Sequence, residues 1–222
     1  MIFDNRIEAG KLLANRVDQF LKMELPNEKN NVVVIGLPRG GVQVALEVAR
    51  KLACPLDILV SKKLNFPDKP DLVVGAVSSD GVMVLNTELP TNRVWKRYVE
   101  NQKKELSKQT REAESCIYKF ANRKPSSLEN KIVIVVDDGL DTGMTATAAL
   151  RTVRQRGAKM VYLAVPIMSE ESIDFMNLHY DGVITVSVSE YLVSVDKHYV
   201  DFSKTTEDAV LDAMRESLSF VA

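Results

Sequence analysis

Between Ile132 and Leu150 the chain reads IVIVVDDGLDTGMTATAAL, placing Asp137, Asp138 and Asp141 in the link between an apolar run and a helical pattern. Carboxylates at the carboxyl end of a buried strand stand where open parallel sheets collect ligands. The residues that follow, Thr142 to Thr145, open a helix. The first turn of a helix carries unpaired N–H groups and a partial positive charge, so this turn can cradle a phosphate. Gly143 lets the backbone come close. The acids would repel the same phosphate unless they face hydroxyl groups that donate hydrogen bonds to them. A phosphorylated sugar meets both demands. The bland alternative is that Asp141, Thr142 and Thr145 are ordinary helix-capping residues, but three acids at one strand end exceed what capping needs. The turn lacks the glycine-lysine pair of a P-loop, LPRGG after the first strand lacks a full GxGxxG pattern, and no GxSxG elbow occurs.

The elements that must hold this turn are legible from hydrophobic periodicity. An opening amphipathic helix is expected to share Ile7, Leu12, Leu13, Val17, Phe20 and Leu21 on one face before Pro26. VVVIG from Val32 to Gly36 reads as a strand buried on both faces, LPRGG as its turn, and VQVALEVARKLA as a helix. LDILVSKK from Leu56 to Lys63 reads as a second buried strand ending in two lysines, with LNFPDKPD leading away. LVVGAVSSDGVMVL offers an antiparallel hairpin through Asp80 and Gly81. A long polar helix is expected from Asn92 to Phe120, with Trp95, Tyr98, Leu106, Ala113 and Ile117 as a thin apolar stripe. The acidic stretch supplies a strand over 131–136 and a helix to about Arg156, stopped by Gly157. VYLAVPI, a helix near 170–178 and GVITVSV continue the alternation, and a last helix spans about 207–218. Together these predict an α/β fold, a mainly parallel twisted sheet flanked by helices, with an antiparallel hairpin.

The 222 residues, 45% of them hydrophobic, suit one domain over 1–222. A helical insert or loop region is expected at 87–128. A formal net charge of -1 disfavours a protein that coats nucleic acid or membrane. No apolar run approaches the roughly 20 residues of a membrane span. Cys54 and Cys116 lack metal-ligand spacing, and the opening MIFDNRIEAG carries no apolar signal region. These features lead us to expect a reduced, cytoplasmic protein.

VVDDGLDTGMTA resembles the phosphoribosyl-diphosphate signature of the type I phosphoribosyltransferases, and LPRGG is similar to that family's pyrophosphate loop. FDNRIEAGKLL, VSKKLNFP and HYVDFS extend the resemblance, toward a little-characterised bacterial branch of predicted phosphoribosyltransferases, over nearly the whole chain. The resemblance implies transfer of the ribose 5-phosphate of phosphoribosyl diphosphate to a nitrogenous base, with release of pyrophosphate. It assigns Asp137 and Asp138 to the ribose hydroxyls, and Gly139, Thr142, Gly143, Met144 and Thr145 to the 5-phosphate turn. Arg39, Gly40 and Gly41 would wrap the pyrophosphate, which Lys62 and Lys63 would also reach; the other reading of the two lysines is a solvated turn. Asp141 would either assist proton transfer from the base or merely cap the helix. Arg111 of the insert would close over substrate, although most insert cations equally suit a solvated face or a dimer surface. Magnesium is implied as cofactor, travelling with the diphosphate without a dedicated protein cage. A hood from terminal segments, over 187–222, is implied, in which Tyr191, Tyr199 or Phe202 would stack on the base or serve as core aromatics. A homodimer is expected. The alternative is a nucleotide-sensing regulator of the same fold whose basic insert contacts RNA or a protein partner.

Overall fold

The computed structural model describes residues 1–66, 69–86, 115, 127–141 and 143–220. The expected helix over 92–120, its aromatic residues and Arg111 lie outside the described residues, Ser115 excepted, as do Cys116 and Thr142.

Five strands, β1 (Val32–Gly36), β2 (Leu56–Ile58), β6 (Ile132–Val136), β7 (Met160–Ser169) and β8 (Gly182–Ser189), form a parallel sheet in the order β2-β1-β6-β7-β8. β1 pairs with β6 from Val32 opposite Ile132 to Gly36 opposite Val136, and both strands are buried throughout. Successive side chains point to opposite sides. Val32, Val34, Ile132, Ile134 and Val136 therefore enter one core, while Val33, Ile35, Val133 and Val135 enter the other. The first core is closed by α1 (Arg6–Glu24), α2 (Gly40–Leu52) and α5 (Glu207–Ser217). The second is closed by α3 (Met144–Gln155) and, through Met176, by α4 (Glu170–Asn177). Full burial of each such Val, Leu or Ile contributes roughly 1.5–3 kcal/mol, so both central strands are firm mounts for the turns that leave them.

Two expectations need correction. The run from Leu56 to Lys63 is not one strand: Leu56–Ile58 belongs to the parallel sheet, and the chain then enters β3 (Ser61–Phe66) in a separate antiparallel sheet. Lys62 and Lys63 are exposed within β3, next to buried Leu64, a pattern that suits a sheet wet on one side. LNFPDKPD does not lead away, because β3 pairs back onto β4 (Lys69–Ser78), which pairs with β5 (Met83–Leu85). The expected hairpin is thus part of a three-stranded sheet. Helix α3 carries it: Ala148 and Met144 pack with Ala76 and Val84, and the Thr152 hydroxyl donates to Ser78 Oγ at 2.8 Å. The Arg156 guanidinium grips Asp80 at the hairpin tip with bonds of 2.7 and 2.6 Å.

The second correction concerns α1. Its buried face is Arg6, Ala9, Gly10, Leu13, Ala14, Val17 and Leu21, while Ile7 is exposed. The face is rotated because α1 lies close against α2, where a Cβ on Gly10 would stand 3.0 Å from Glu47 Cβ. Small residues serve that contact better than a branched one.

Candidate active site

Strand order decides where the site lies. From β1 the chain steps outward to β2, then returns to lay β6, β7 and β8 on the opposite side. The direction reverses between β1 and β6, and a crevice opens outside the carboxyl ends of strands at such a switch point. LPRGG leaves β1 and DDGLDTG leaves β6 at this place, with the Leu37 amide still bonded to the Val136 carbonyl at 2.9 Å.

The two turns touch. A Cβ on Gly40 would sit 1.9 Å from Asp138 Oδ2, and one on Gly41 would sit 2.7 Å from Asp137 Oδ1 and 2.8 Å from Asp137 Cα. Glycine is required here by close approach, because any side chain would drive the turns apart. The Pro38–Arg39 peptide is cis. Asp137 Oδ1 accepts the Asp138 amide at 2.9 Å, and Asp138 Oδ2 accepts Arg6 Nε at 2.7 Å. The two carboxyl groups also lie close enough to each other to interact directly. Burial first, and the neighbouring Asp138 charge second, push the Asp137 carboxyl well above the usual range.

Both acids line a cavity of about 380 Å³ together with Lys63, Gly139, Asp141, Gly143 and Thr145. Its far wall is the segment Val193 to Asp196 with Phe202. Gly143 caps α3 in the left-handed conformation, φ 68°, and among the described residues no side chain caps the helix. This disposes of the capping role considered for Asp141 and Thr145. Asp141 is exposed and meets Lys63 Nζ at 3.1 Å instead. The start of α3 thus borders the cavity through Gly143 and Thr145, and a helix start offers unpaired amides to an anion.

The terminal segments close the site. Asn5 caps α1 by accepting the Ile7 and Glu8 amides, so Arg6 is the first residue of the helix. Its guanidinium lies 3.7 Å above the Phe202 ring, and Nη1 donates to the Ser203 carbonyl at 2.8 Å. Phe3 and Tyr199 form a parallel bridge, with Phe3 N to His198 O and Val200 N to Phe3 O both at 2.8 Å. The Tyr199 hydroxyl donates to the Asp138 carbonyl at 2.6 Å. Burial, then the Asp138 charge, push this phenol up and keep it a donor. Tyr199 is enclosed by Phe3 and Phe202, so of its two readings the core aromatic is the one observed. Arg6 was missed in the sequence. Its signals are its place in FDNRIEAGKLL and an arginine at the start of a helix, where a cation opposes the dipole and needs a reason to be.

Other expected residues stand apart from the cavity. Arg39 is exposed at the start of α2, and Lys62 is exposed on β3 without lining the cavity. The Met144 side chain packs against the antiparallel sheet. It also lines a larger cleft of about 570 Å³, shared with Asp141, Arg151, Phe175, His179 and Tyr191. Among the described residues no group of three or more His, Cys, Asp or Glu is placed to hold a metal ion. No described helix is long and apolar enough to cross a membrane.

An acid pair, a helix start and a glycine loop thus meet at the switch point of a parallel α/β sheet, where folds of this class collect their ligands. The family model for the phosphoribosyl transferase domain matches residues 5–196, and the chain belongs to that family, the type I phosphoribosyltransferase family. The chain is 37% identical over 212 residues to a Mycobacterium tuberculosis (strain H37Rv) protein named "Putative phosphoribosyl transferase". That match covers 95% of this chain and 46% of the relative, so the chain spans about half the length of the curated relative it matches. A uracil phosphoribosyltransferase of Thermosipho melanesiensis is 33% identical over 128 residues, covering 58% of this chain and 53% of that one. The crystal structure of TT1426 from Thermus thermophilus superposes with a TM-score of 0.77 at 31% identity, covering 100% of both chains.

Proposed function

We propose that the protein transfers the ribose 5-phosphate of phosphoribosyl diphosphate to a nitrogenous base and releases pyrophosphate. One observation carries this reading: Asp137, Asp138 and the start of α3 at Gly143 and Thr145 line a single cavity at the switch point. In this reading Asp137 and Asp138 accept hydrogen bonds from the ribose hydroxyls, and the turn through Gly143 and Thr145 binds the 5-phosphate. Thr142 and Arg111 belong to the same reading as turn and closing residues, although both lie outside the described residues. Arg39, Gly40 and Gly41 face the diphosphate, with Lys62 and Lys63 adding positive charge from β3.

The base nitrogen forms a bond to the anomeric carbon as the bond from that carbon to the diphosphate oxygen breaks, and the diphosphate leaves with the electron pair. Positive charge develops on the sugar ring, and a carboxylate already fixed beside the ring stabilises it without reorganisation. The base proton passes to solvent or to Asp141. Magnesium is part of the proposal. A pair of carboxylates is too few donors for a cage, yet suits an ion that brings diphosphate, hydroxyl and water ligands with it. When bound, it neutralises charge on the departing diphosphate.

The acceptor class is taken from the relative whose name states uracil, so uracil heads the panel of bases. Calorimetry with phosphoribosyl diphosphate and magnesium should show binding that Asp138→Asn removes, and uracil or another base should then elicit pyrophosphate release. Equal binding by wild type and Asp138→Asn sinks the site assignment; binding without release from any base removes the transferase step. Homodimerisation in the cytoplasm completes the reading, and sedimentation velocity reads the oligomer directly. The regulator alternative rests on insert residues outside the described ones and draws no support from the described site.

A further inference from the structure

We propose that Arg6 and Tyr199 form a frame that positions Asp138 for the sugar hydroxyls, making the two terminal segments working parts of the site. This rests on the sugar-phosphate reading above and adds to it two residues that touch no substrate themselves. Asp138 is held at two points from outside its own turn: Arg6 Nε on its carboxylate at 2.7 Å and the Tyr199 hydroxyl on its carbonyl at 2.6 Å. Arg6 comes from the first turn of α1, and Tyr199 from the segment bridged to Phe3 just ahead of that helix. The two holders are thus parts of one small assembly. Tyr199, Phe202 and Ser203 all fall beyond the residues matched by the family model, which ends at 196.

Two other roles for Arg6 are weaker. As a mobile group that occupies Asp138 until substrate displaces it, Arg6 would have to abandon the Phe202 ring at 3.7 Å and the Ser203 carbonyl at 2.8 Å. It is only 7% exposed, and freeing a buried guanidinium from three partners leaves its charge uncompensated. As a mere clamp between helix and tail, it would have no need of an acid that lines the cavity. The loop after β1 also makes room for the pair, since a Cβ on Gly40 would meet Arg6 Nε at 2.6 Å as well as Asp138 Oδ2 at 1.9 Å. The contact locks Asp138 Oδ2 within an acid that lines the cavity.

The test compares ribose 5-phosphate with inorganic phosphate as ligands of the full chain, because only the sugar uses the acids whereas both use the start of α3. Wild type should bind the sugar phosphate more tightly. Arg6→Gln should weaken ribose 5-phosphate about tenfold while phosphate stays within about twofold, as happens when a partner that orients a ligand group is removed. Arg6→Lys should restore part of the difference, and Tyr199→Phe, which keeps the ring, should lose about threefold for the sugar phosphate alone. Thermal melts check that each variant is folded, and Tyr199→Phe decides the matter if Arg6→Gln is not. Retention of the wild-type preference in the folded variants overturns the frame, and so does equal weakening of both ligands. Equal affinity of the wild type for the two ligands overturns the sugar-phosphate reading, and the frame with it.

Discussion

The turn after β6 and the terminal frame meet at one aspartate, yet they are built in opposite ways. In the turn, the chemistry and its mount are neighbours in sequence: five buried residues from Ile132 to Val136 hold the strand, and the acids follow at once. In the frame, Arg6 reaches Asp138 across 132 positions, and the stretches FDNRIEAGKLL and HYVDFS that carry Arg6 and Tyr199 give no sign in sequence that they meet at that aspartate. The turn decides what the site can bind, whereas the frame decides how rigidly one of its groups is aimed. Local sequence writes the first and tertiary closure supplies the second.

The sharpest way to break this contrast is to remove the acid that both regions share. Asp138→Asn keeps the size of the side chain and loses its charge, and we expect turnover to fall by about two orders of magnitude, the scale for losing one preoriented electrostatic group. Pyrophosphate release measures it. A loss below about threefold would show that the acid adds little beyond shape. Next in size comes the contact between the two turns. Gly40→Ala forces a Cβ into the space of Asp138 Oδ2 and Arg6 Nε, and such overpacking costs about 1–3 kcal/mol. At roughly 2–4 °C per kcal/mol for a chain of this size, melting should drop by several degrees. An unchanged melting temperature would mean that the turns separate freely and that the glycine is not needed for their approach.

The parallel sheet, its helices and the acidic turn could be read from the sequence because fully apolar strands and helical spacing repeat along the chain. LDILVSKK misled because its apolar half and its lysines continue one another in sequence while belonging to different sheets. Buried Leu59 and Val60 bridge them without a Gly or Pro to mark the change. Helix α1 was recognised, but its buried face was misjudged, since close packing against α2 selects Ala9 and Gly10 over Ile7. In the site, Asp137, Asp138 and Gly143 were legible as a motif. The glycines of LPRGG were legible as a loop, but their reason, the approach of Asp137 and Asp138, is purely tertiary. Arg6 was legible only as part of FDNRIEAGKLL; its contact with Asp138 was not, because an arginine is usually a solvated residue.

The last two substitutions separate charge that is built in from charge that is incidental. Asp137 takes up its proton more readily in the folded chain than its ordinary value of 3.8 would allow, because burial and Asp138 disfavour its charged form. Such a group stabilises the fold fully below about 3.8, and that contribution is lost as pH rises through the higher folded value. Asp137→Asn should therefore be more stable than wild type at neutral pH, by roughly 1 kcal/mol, with the gap closing toward pH 4 even as sugar-phosphate affinity falls. Melts across pH 4–8 read the gap, and one that stays constant with pH would discard the buried charge as its cause.

Asp141 is the opposite case. Its side chain is 53% exposed and its partner Lys63 38%, and an exposed pair of this kind contributes at most a few tenths of a kcal/mol once water and salt screen it. Because Gly143 begins α3 without a side-chain cap, Asp141→Asn has no capping bond to lose. Stability should change by less than about 0.5 kcal/mol, against the roughly 1 kcal/mol that loss of a real cap costs. A larger cost in chemical denaturation would return Asp141 to the helix. With stability unchanged, any fall in the rate of pyrophosphate release in Asp141→Asn is left to the transfer step itself, where the base must give up its proton.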